Sequence, residues 1–307
     1  MSKRGTFLIT GSQGLLGTHL IKLISAELPG CKFVLVQRSK REGRRKDSLN
    51  IKTFYGDLRE AQLWDDLPSS ITHVFHLAAY IPWDAEEKNK SRVVEDNLIP
   101  LAHLIEQSQQ WLHLKQVIYS SSISVYAKSP NYLKEYSPKE PLDLYGASKL
   151  AGEQLLLCLG IRGVKVVNLR YSSLYAYGQY QGTVLPVMIN RAITNNEILV
   201  YGAGKRTQDF LHYSDAARAN ILAYQAKVNG TFNIGSGVPV SMSELAEKIS
   251  KVFTDGAARI IHVREKEDND PGFKLDISRA KKVLNFRPTV KLEAGLQMIK
   301  EEMEKAG

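Results

Sequence analysis

The stretch from Thr6 to Val36 restricts the fold more than any other part of the chain. Thr6-Phe7-Leu8-Ile9-Thr10 is an apolar run of strand length. It leads into Gly11-Ser12-Gln13-Gly14-Leu15-Leu16-Gly17, then into a segment reaching about Leu28. There Leu16, Leu20, Leu23 and Ile24 recur at helical spacing. Pro29-Gly30 ends that helix, and Phe33-Val34-Leu35-Val36 begins a second strand. Strand, glycine loop, helix and strand in this order make a right-handed βαβ unit with parallel strands. Gly11 permits a tight turn, Gly14 lets a pyrophosphate reach the backbone, and Gly17 lets helix and strand pack closely. The helix N-terminus offers free N–H groups and the positive end of its dipole to that anion. The glycines are spaced Gly-x-x-Gly-x-x-Gly rather than Gly-x-Gly-x-x-Gly, so their place between strand and helix carries the reading.

The alternation continues. Ile51-Lys52-Thr53-Phe54-Tyr55 reads as a short strand followed by Gly56-Asp57-Leu58, and residues 72–77 read as another, ending at Ala78-Ala79. A long helix is expected over residues 91–110, a strand over 116–121, a helix from Tyr145 to about Leu159 and a strand over 164–169. Strands alternating with helices predict an α/β fold with a doubly wound parallel sheet of the Rossmann type. Ligands of such sheets bind beyond the C-terminal strand ends, where the glycine loop, Asp57, Ala78 and Ser122 fall. After Tyr171 the elements shorten, and glycines, tyrosines and polar residues increase. Helices are expected at 183–195, 241–253 and 278–284. The chain is therefore expected to divide into a dinucleotide-binding domain, 1–172, and a smaller C-terminal substrate-binding region, 173–307. Some of the latter is expected to cross back to the sheet. No internal repeat or low-complexity linker is evident.

Tyr145-Gly146-Ala147-Ser148-Lys149 and the run Ser120-Ser121-Ser122 add chemistry to that fold. A Tyr and a Lys four residues apart share one helix face, one turn apart. An ammonium beside the phenol favours its anion, so the spacing predicts a Tyr145 pKa below the ordinary value of about 10. Such a tyrosine takes a proton from an alcohol or gives one to a ketone. A serine at a neighbouring strand end can hold the same oxygen. Tyr-x-x-x-Lys pairs also arise by chance in ordinary helices; the dinucleotide site gives this one its meaning.

Composition narrows the alternatives. The net charge of +9 is local: Arg38, Lys40, Arg41, Arg44, Arg45 and Lys46 against Glu42 place +5 of it in one loop. That loop suits a phosphate-bearing small ligand or a solvated turn rather than nucleic acid. Cys31 and Cys158 form no Cys-x-x-Cys motif and fall on core-side segments. Buried free thiols and a reducing cytoplasm are expected. No run is long enough to span a bilayer, and no targeting segment is expected ahead of the first strand. The seven histidines show no ligand spacing, so no metal site is expected. No Gly-x-Ser-x-Gly elbow suggests a hydrolase.

These motifs, in this order, resemble the extended short-chain dehydrogenase/reductase family, in its NAD(P)-dependent sugar-nucleotide epimerase/dehydratase group. The resemblance rests on residues 10–17, Gly56-Asp57-Leu58, His76-Leu77-Ala78-Ala79, Asn97, residues 119–126, residues 145–149 and Leu169-Arg170-Tyr171. It extends through residues 209–215, 232–237 and 275–280. It implies that Ser122, Tyr145 and Lys149 are catalytic: the serine holds the reacting oxygen, the tyrosine moves the proton, and the lysine tunes the tyrosine and holds the nicotinamide ribose. It implies cofactor contacts from Gly11, Gln13, Gly14, Leu15, Leu16, Arg38, Asp57, Leu58, Leu77, Ala78, Ala79, Asn97, Ser120, Tyr145, Lys149 and Tyr171. Substrate contacts are expected from Ser122, Ser124, Tyr145, Ser173, Arg206 and Gln208. Tyr171, Tyr175, Tyr177 and Tyr180 are candidates for stacking on a sugar or base, or for packing at a domain junction. Helices near 91–110 and 146–159 resemble those that pair in homodimers of the family.

Four positions depart from the family pattern. Where NAD-preferring members carry an acidic residue at the end of the second strand stands Gln37, followed by Arg38. A missing carboxylate removes repulsion toward a 2′-phosphate, and Arg38 can bind one in a bidentate fashion, with Arg41 adding charge. NADP is therefore the expected cofactor, with NAD the other choice. Dehydratases of the group place an Asp-Glu pair after the triad hydroxyl; here Ser122 is followed by Ile123-Ser124, so 4,6-dehydration is not expected. Ser173 replaces an asparagine that contacts the substrate diphosphate, and Gln208 replaces an arginine, with Lys205 and Arg206 nearby. The expected activity is that of a sugar-nucleotide epimerase working by transient oxidation to a keto-sugar with hydride return. An NADPH-dependent reductase of a keto-sugar nucleotide or other carbonyl compound uses the same residues. A non-catalytic dinucleotide-sensing protein is the reading from another class.

Overall fold

The computed structural model describes residues 5–39, 50–82, 90–179, 181–263 and 270–306. The basic run beyond Arg38, including Arg41, lies outside the described residues, as does Tyr180. In chain order, β1 (Thr6–Thr10) leads to α1 (Leu15–Glu27), β2 (Lys32–Gln37), β3 (Ile51–Tyr55) and a short α2 (Ala61–Asp65). Next come β4 (His73–His76), α3 (Ser91–Ser108), β5 (Gln116–Ser122), a two-residue β6 (Tyr132–Leu133), α4 (Leu144–Leu156) and β7 (Lys165–Tyr171). The later half contains β8 (Ser173–Tyr175), α5 (Val184–Asn195), β9 (Glu197–Tyr201), β10 (Thr207–His212), α6 (Tyr213–Ala226) and β11 (Gly230–Ile234). It closes with β12 (Pro239–Ser241), α7 (Met242–Thr254), β13 (Arg259–Val263), β14 (Lys274–Leu275), α8 (Ser278–Val283) and α9 (Leu292–Ala306).

Among the described residues, seven parallel strands form one sheet in the order β3-β2-β1-β4-β5-β7-β11. This is the expected doubly wound Rossmann arrangement, with the order reversing between β1 and β4. Side-chain alternation explains why both faces are covered. Phe7, Ile9, Phe33, Leu35, Phe75 and Ile118 point to one face and pack with Leu20 and Ile24 of α1 and Ala216 and Ala223 of α6. Leu8, Val34, Val36, Val74, Val117 and Tyr119 point to the other and pack with Leu101 and Leu104 of α3, Leu156 of α4 and Trp64 of α2.

The later half does cross back. Within residues 173–307, α6 packs on α1 and β11 adds to β7, while β8, β10 and β12 form a separate three-stranded sheet. Sequence periodicity missed α6, α9 and these short strands. One thiol differs from expectation: Cys31 is buried, but Cys158 is exposed. It falls in the 3₁₀ turn Leu157–Arg162, because α4 ends at Leu156 rather than near residue 159. Among the described residues no helix is long and apolar enough to cross a membrane.

Candidate active site

A cleft of about 920 Å³ crosses the C-terminal ends of the sheet strands, within the range of small-molecule sites. Gly11, Gln13, Gly14, Leu15, Leu16, Arg38, Asp57, Leu58, Leu77, Ala78, Ala79 and Ser120 line one part of it. Ser173, Arg206 and Gln208 line the opposite part, and Ser122, Ser124, Tyr145, Lys149 and Tyr171 lie between.

The glycine loop shows why those residues are glycine. Gly11 has φ 68°, and a Cβ there would lie 2.7 Å from the Ala78 nitrogen, so the β1 and β4 loops touch at this point. A Cβ on Gly17 would lie 2.4 Å from the Gly11 carbonyl oxygen, which fixes α1 against the loop. Gly14 caps α1 without any side-chain hydrogen bond, and the first turn carries no acidic residue. Its unsatisfied N–H groups therefore suit a ligand anion, which is the fit a dinucleotide pyrophosphate requires.

The catalytic candidates converge on α4 and the end of β5. Asp143 caps α4 by accepting from the Gly146 N–H at 2.8 Å. A Cβ on Gly146 would lie 2.2 Å from the Ser124 carbonyl oxygen, so glycine lets the helix close on the turn after Ser122. The Ser122 hydroxyl lies close enough to the Tyr145 phenol to draw its pKa down, and it donates to Ser124 Oγ at 3.1 Å. Lys149 Nζ donates to the Ser120 carbonyl at 2.8 Å and lies 5.8 Å from the Tyr145 ring centroid and 4.9 Å from that of Tyr119.

The electrostatics correct the expectation for Tyr145. Burial pushes its pKa well above the ordinary value, the Ser122 hydroxyl lowers it, and Asp143 raises it. Burial also brings Lys149 down to about 7, opposed by Glu153. The predicted fall does not occur because burial penalises both charged forms and the ammonium is directed at a carbonyl, not at the phenol. His76, hydrogen-bonded to Thr10 at 3.1 Å, is held neutral by burial, its pKa falling to about 3. That fits its expected structural place at a strand end. Among the described residues no group of three or more His, Cys, Asp or Glu side chains could hold a metal.

Behind the site, Arg170 of β7 pairs with Glu153 of α4, Nη2 to Oε2 at 2.6 Å and Nε to Oε1 at 2.8 Å. Ser121 donates to the same carboxylate at 2.5 Å. Tyr145, Lys149 and Glu153 thus form a ladder along α4, tied at its foot to the strand that carries Ser122. Asn97 acts one layer behind the cleft rather than lining it. Its amide donates to the Tyr80 carbonyl and Ser148 Oγ at 3.1 and 3.0 Å and accepts from the Tyr80 N–H at 2.8 Å. It therefore holds the β4 loop and α4 together.

The opposite wall is held by paired side chains. Gln208 donates to Ser173 Oγ across the parallel β8–β10 pair. Arg206 Nε lies 3.4 Å from Asp270, which also accepts from Lys128 at 2.5 Å. Of the tyrosines, Tyr171 and Tyr175 line the cleft but are 5% and 1% exposed. Tyr171 accepts from Asn220 at 2.7 Å, and Tyr175 packs in the core of the later half. Tyr177 is exposed. Sequence reading missed Tyr80, Asp96, Asp143, Gln179, Thr183 and Tyr213, all lining the cleft. Asp143, as a helix cap two residues before Tyr145, carried a local signal; Tyr213, directly after a strand end, carried a positional one.

Fold and site together define an NAD(P)-dependent enzyme of the extended short-chain dehydrogenase/reductase type. The chain belongs to the NAD dependent epimerase/dehydratase family, whose model matches residues 7–235. It is 30% identical to UDP-N-acetyl-alpha-D-glucosaminuronate decarboxylase of Bacillus cytotoxicus, over 94% of this chain and 95% of that one. MoeE5 in complex with UDP-glucuronic acid and NAD is similar with a TM-score of 0.84 at 28% identity, covering 99% and 100% of the two chains. UDP-N-acetylglucosamine 4-epimerase from Methanobrevibacter ruminantium, in complex with UDP-N-acetylmuramic acid, is similar with a TM-score of 0.87 at 25% identity, covering 99% and 100%.

Proposed function

We propose that the chain is a sugar-nucleotide epimerase acting on a UDP-sugar by transient oxidation to a keto-sugar. The observation that carries this reading is the convergence of Ser122, Tyr145 and Lys149 in the cleft, with Ile123-Ser124 and no carboxylate directly after Ser122. A bound nicotinamide dinucleotide supplies the acceptor and donor of hydride. The glycine loop, Asp57, Leu58 and residues 77–79 would hold it, with Ser120, Lys149 and Tyr171 on its inner side. Tyr145 Oη takes the proton from a sugar hydroxyl and returns it after the keto-sugar has turned over. Ser122 holds the same sugar oxygen, and Lys149 stabilises the phenolate whenever it is charged. Ser124, Ser173, Arg206 and Gln208 contact the substrate.

The cofactor reading shifts toward NAD. Arg38 favours NADP on sequence, yet MoeE5 carries NAD, and Arg38 faces Asp96 at 3.9 Å rather than standing alone. Residues 1–172, completed by α6 and β11, form the cofactor unit, and the rest of 173–307 forms the substrate unit. Exposed Val94 and Ile99 on α3 and Leu155 on α4 support pairing of those helices in a homodimer, checked by the mass in light scattering.

The test is incubation with UDP-glucuronic acid, UDP-glucose or UDP-N-acetylglucosamine and catalytic NAD, followed by nuclear magnetic resonance. Appearance of an epimer without net cofactor turnover supports the reading. Stoichiometric NADPH consumption with a keto-sugar overturns it in favour of the reductase.

A further inference from the structure

We infer that Asp96 selects the cofactor, by holding Arg38 and Arg59 in a charge-balanced cluster that disfavours a 2′-phosphate at the adenosine end of the cleft. The inference rests on the dinucleotide reading above. Gln37, Arg38, Asp57, Leu58, Arg59 and Asp96 all line that end. The Asp96 side chain is 5% exposed, against 68%, 40% and 51% for Arg38, Arg59 and Arg92. Arg59 Nη1 lies 3.1 Å from Asp96 Oδ1, Arg92 Nε 3.3 Å from Oδ2, and Arg38 Nη2 3.9 Å from Oδ2. Oδ1 nonetheless receives no aligned hydrogen bond. Arg59 is bound more tightly by Asp57, Nε to Oδ1 at 3.1 Å and Nη2 to Oδ2 at 2.7 Å, and lies 4.0 Å from Glu95.

Among the described residues of this cluster, three guanidiniums therefore face three carboxylates. Among the described residues, a 2′-phosphate arriving there meets as many carboxylates as guanidiniums and would have to draw Arg38 and Arg59 from their partners. A 2′-hydroxyl asks for neither. The position at the end of β2, where a carboxylate would otherwise repel the phosphate, holds Gln37 instead. Its amide accepts from Gln13 at 3.0 Å. The discriminating negative charge comes from α3, more than fifty residues further along the chain. Being buried, it is screened by salt less than a surface charge. Selection by an unfavourable charge against the wrong ligand is a general means of specificity.

The experiment is calorimetric titration of the full chain with NAD and with NADP. The proteins are the unmodified chain, Asp96→Asn, Arg38→Ala and the double variant. Asp96→Asn is expected to tighten NADP about tenfold while NAD changes less than about threefold. Arg38→Ala is expected to weaken NADP by less than about threefold in the unmodified chain, but by about tenfold in the Asp96→Asn background. Should Asp96→Asn not fold, a loss of tenfold or more from Arg38→Ala alone overturns the inference, because it would show an arginine free to act. Binding of both dinucleotides with an unchanged ratio in Asp96→Asn overturns it as well. Binding of neither by the unmodified chain overturns the dinucleotide reading and this inference together.

Discussion

The wall of the cleft proposed for the cofactor is made from the ends of β1 to β5, all neighbours in one sheet, with backbone and glycine as its contact surface. The wall proposed for the substrate is built on β8 and β10 and on Arg206, with paired side chains as its fasteners. Gly11, Gly17 and Gly146 act by lacking a Cβ where another backbone comes within 2.2–2.7 Å of its place. Ser173, Arg206 and Gln208 act through partners distant in the chain.

That contrast can be broken, beginning with the largest effect. Tyr145→Phe removes the proton carrier and should cut turnover by about 10²–10⁴. Near-normal epimer formation by nuclear magnetic resonance would place the chemistry elsewhere. Glu153→Ala leaves Arg170 buried at 2% exposure without its carboxylate, and should cost about 3–5 kcal/mol in urea unfolding. A cost below about 1 kcal/mol would mean that the α4 ladder does not hold the cofactor wall.

Gly17→Ala forces α1 off the loop and should weaken dinucleotide binding about ten- to a hundredfold, the equivalent of 1–3 kcal/mol of overpacking strain. Calorimetry showing unchanged affinity would contradict the backbone-wall description. The Lys149 shift predicts a pH effect on stability. Its folded pKa of about 7 lies below the ordinary 10.5, so between those values the unfolded chain binds more protons and stability rises with pH. Below pH 7 the ammonium is charged in both states and the burial penalty is fully present. Lys149→Met should flatten that rise by about 3–4 kcal/mol in thermal unfolding scans from pH 7 to 10. On the substrate wall, Ser173→Ala removes one partner of Gln208 and should raise KM by about two- to tenfold, kcat being kept, for the loss of one hydrogen bond. A fall in kcat alone would place Ser173 in the chemistry.

The cofactor wall was legible because its signals are local. β1, the glycine loop and α1 lie within one stretch of sequence, and Tyr145 and Lys149 share one helix face at a spacing that a helix makes adjacent. Asp96 was not legible. Nothing near it in sequence says that Arg38 and Arg59 will meet it, because the three lie on separate segments of the chain. Asn97 was recognised but misplaced, because a motif shows that an amide is needed and not which way it points. Asp209 shows the same limit. Buried at 0% exposure, it accepts the Ser236 and Gly237 N–H groups at 2.7 and 2.8 Å, joining two sequence motifs into one structural clasp.

By itself the sequence determined the parallel sheet, the glycine loop between β1 and α1, and the shared helix face of Tyr145 and Lys149. Apolar runs of strand length, helical spacing and glycine steric freedom all act within a few residues and need no distant partner. Only the tertiary structure decided the protonation balance of Tyr145 and Lys149, the ties of Ser173, Gln208 and Arg206, and the carboxylate facing Arg38. Each depends on burial or on a charge brought in from another segment. Desolvation and Coulomb energies follow distance in space, which the order of residues does not state.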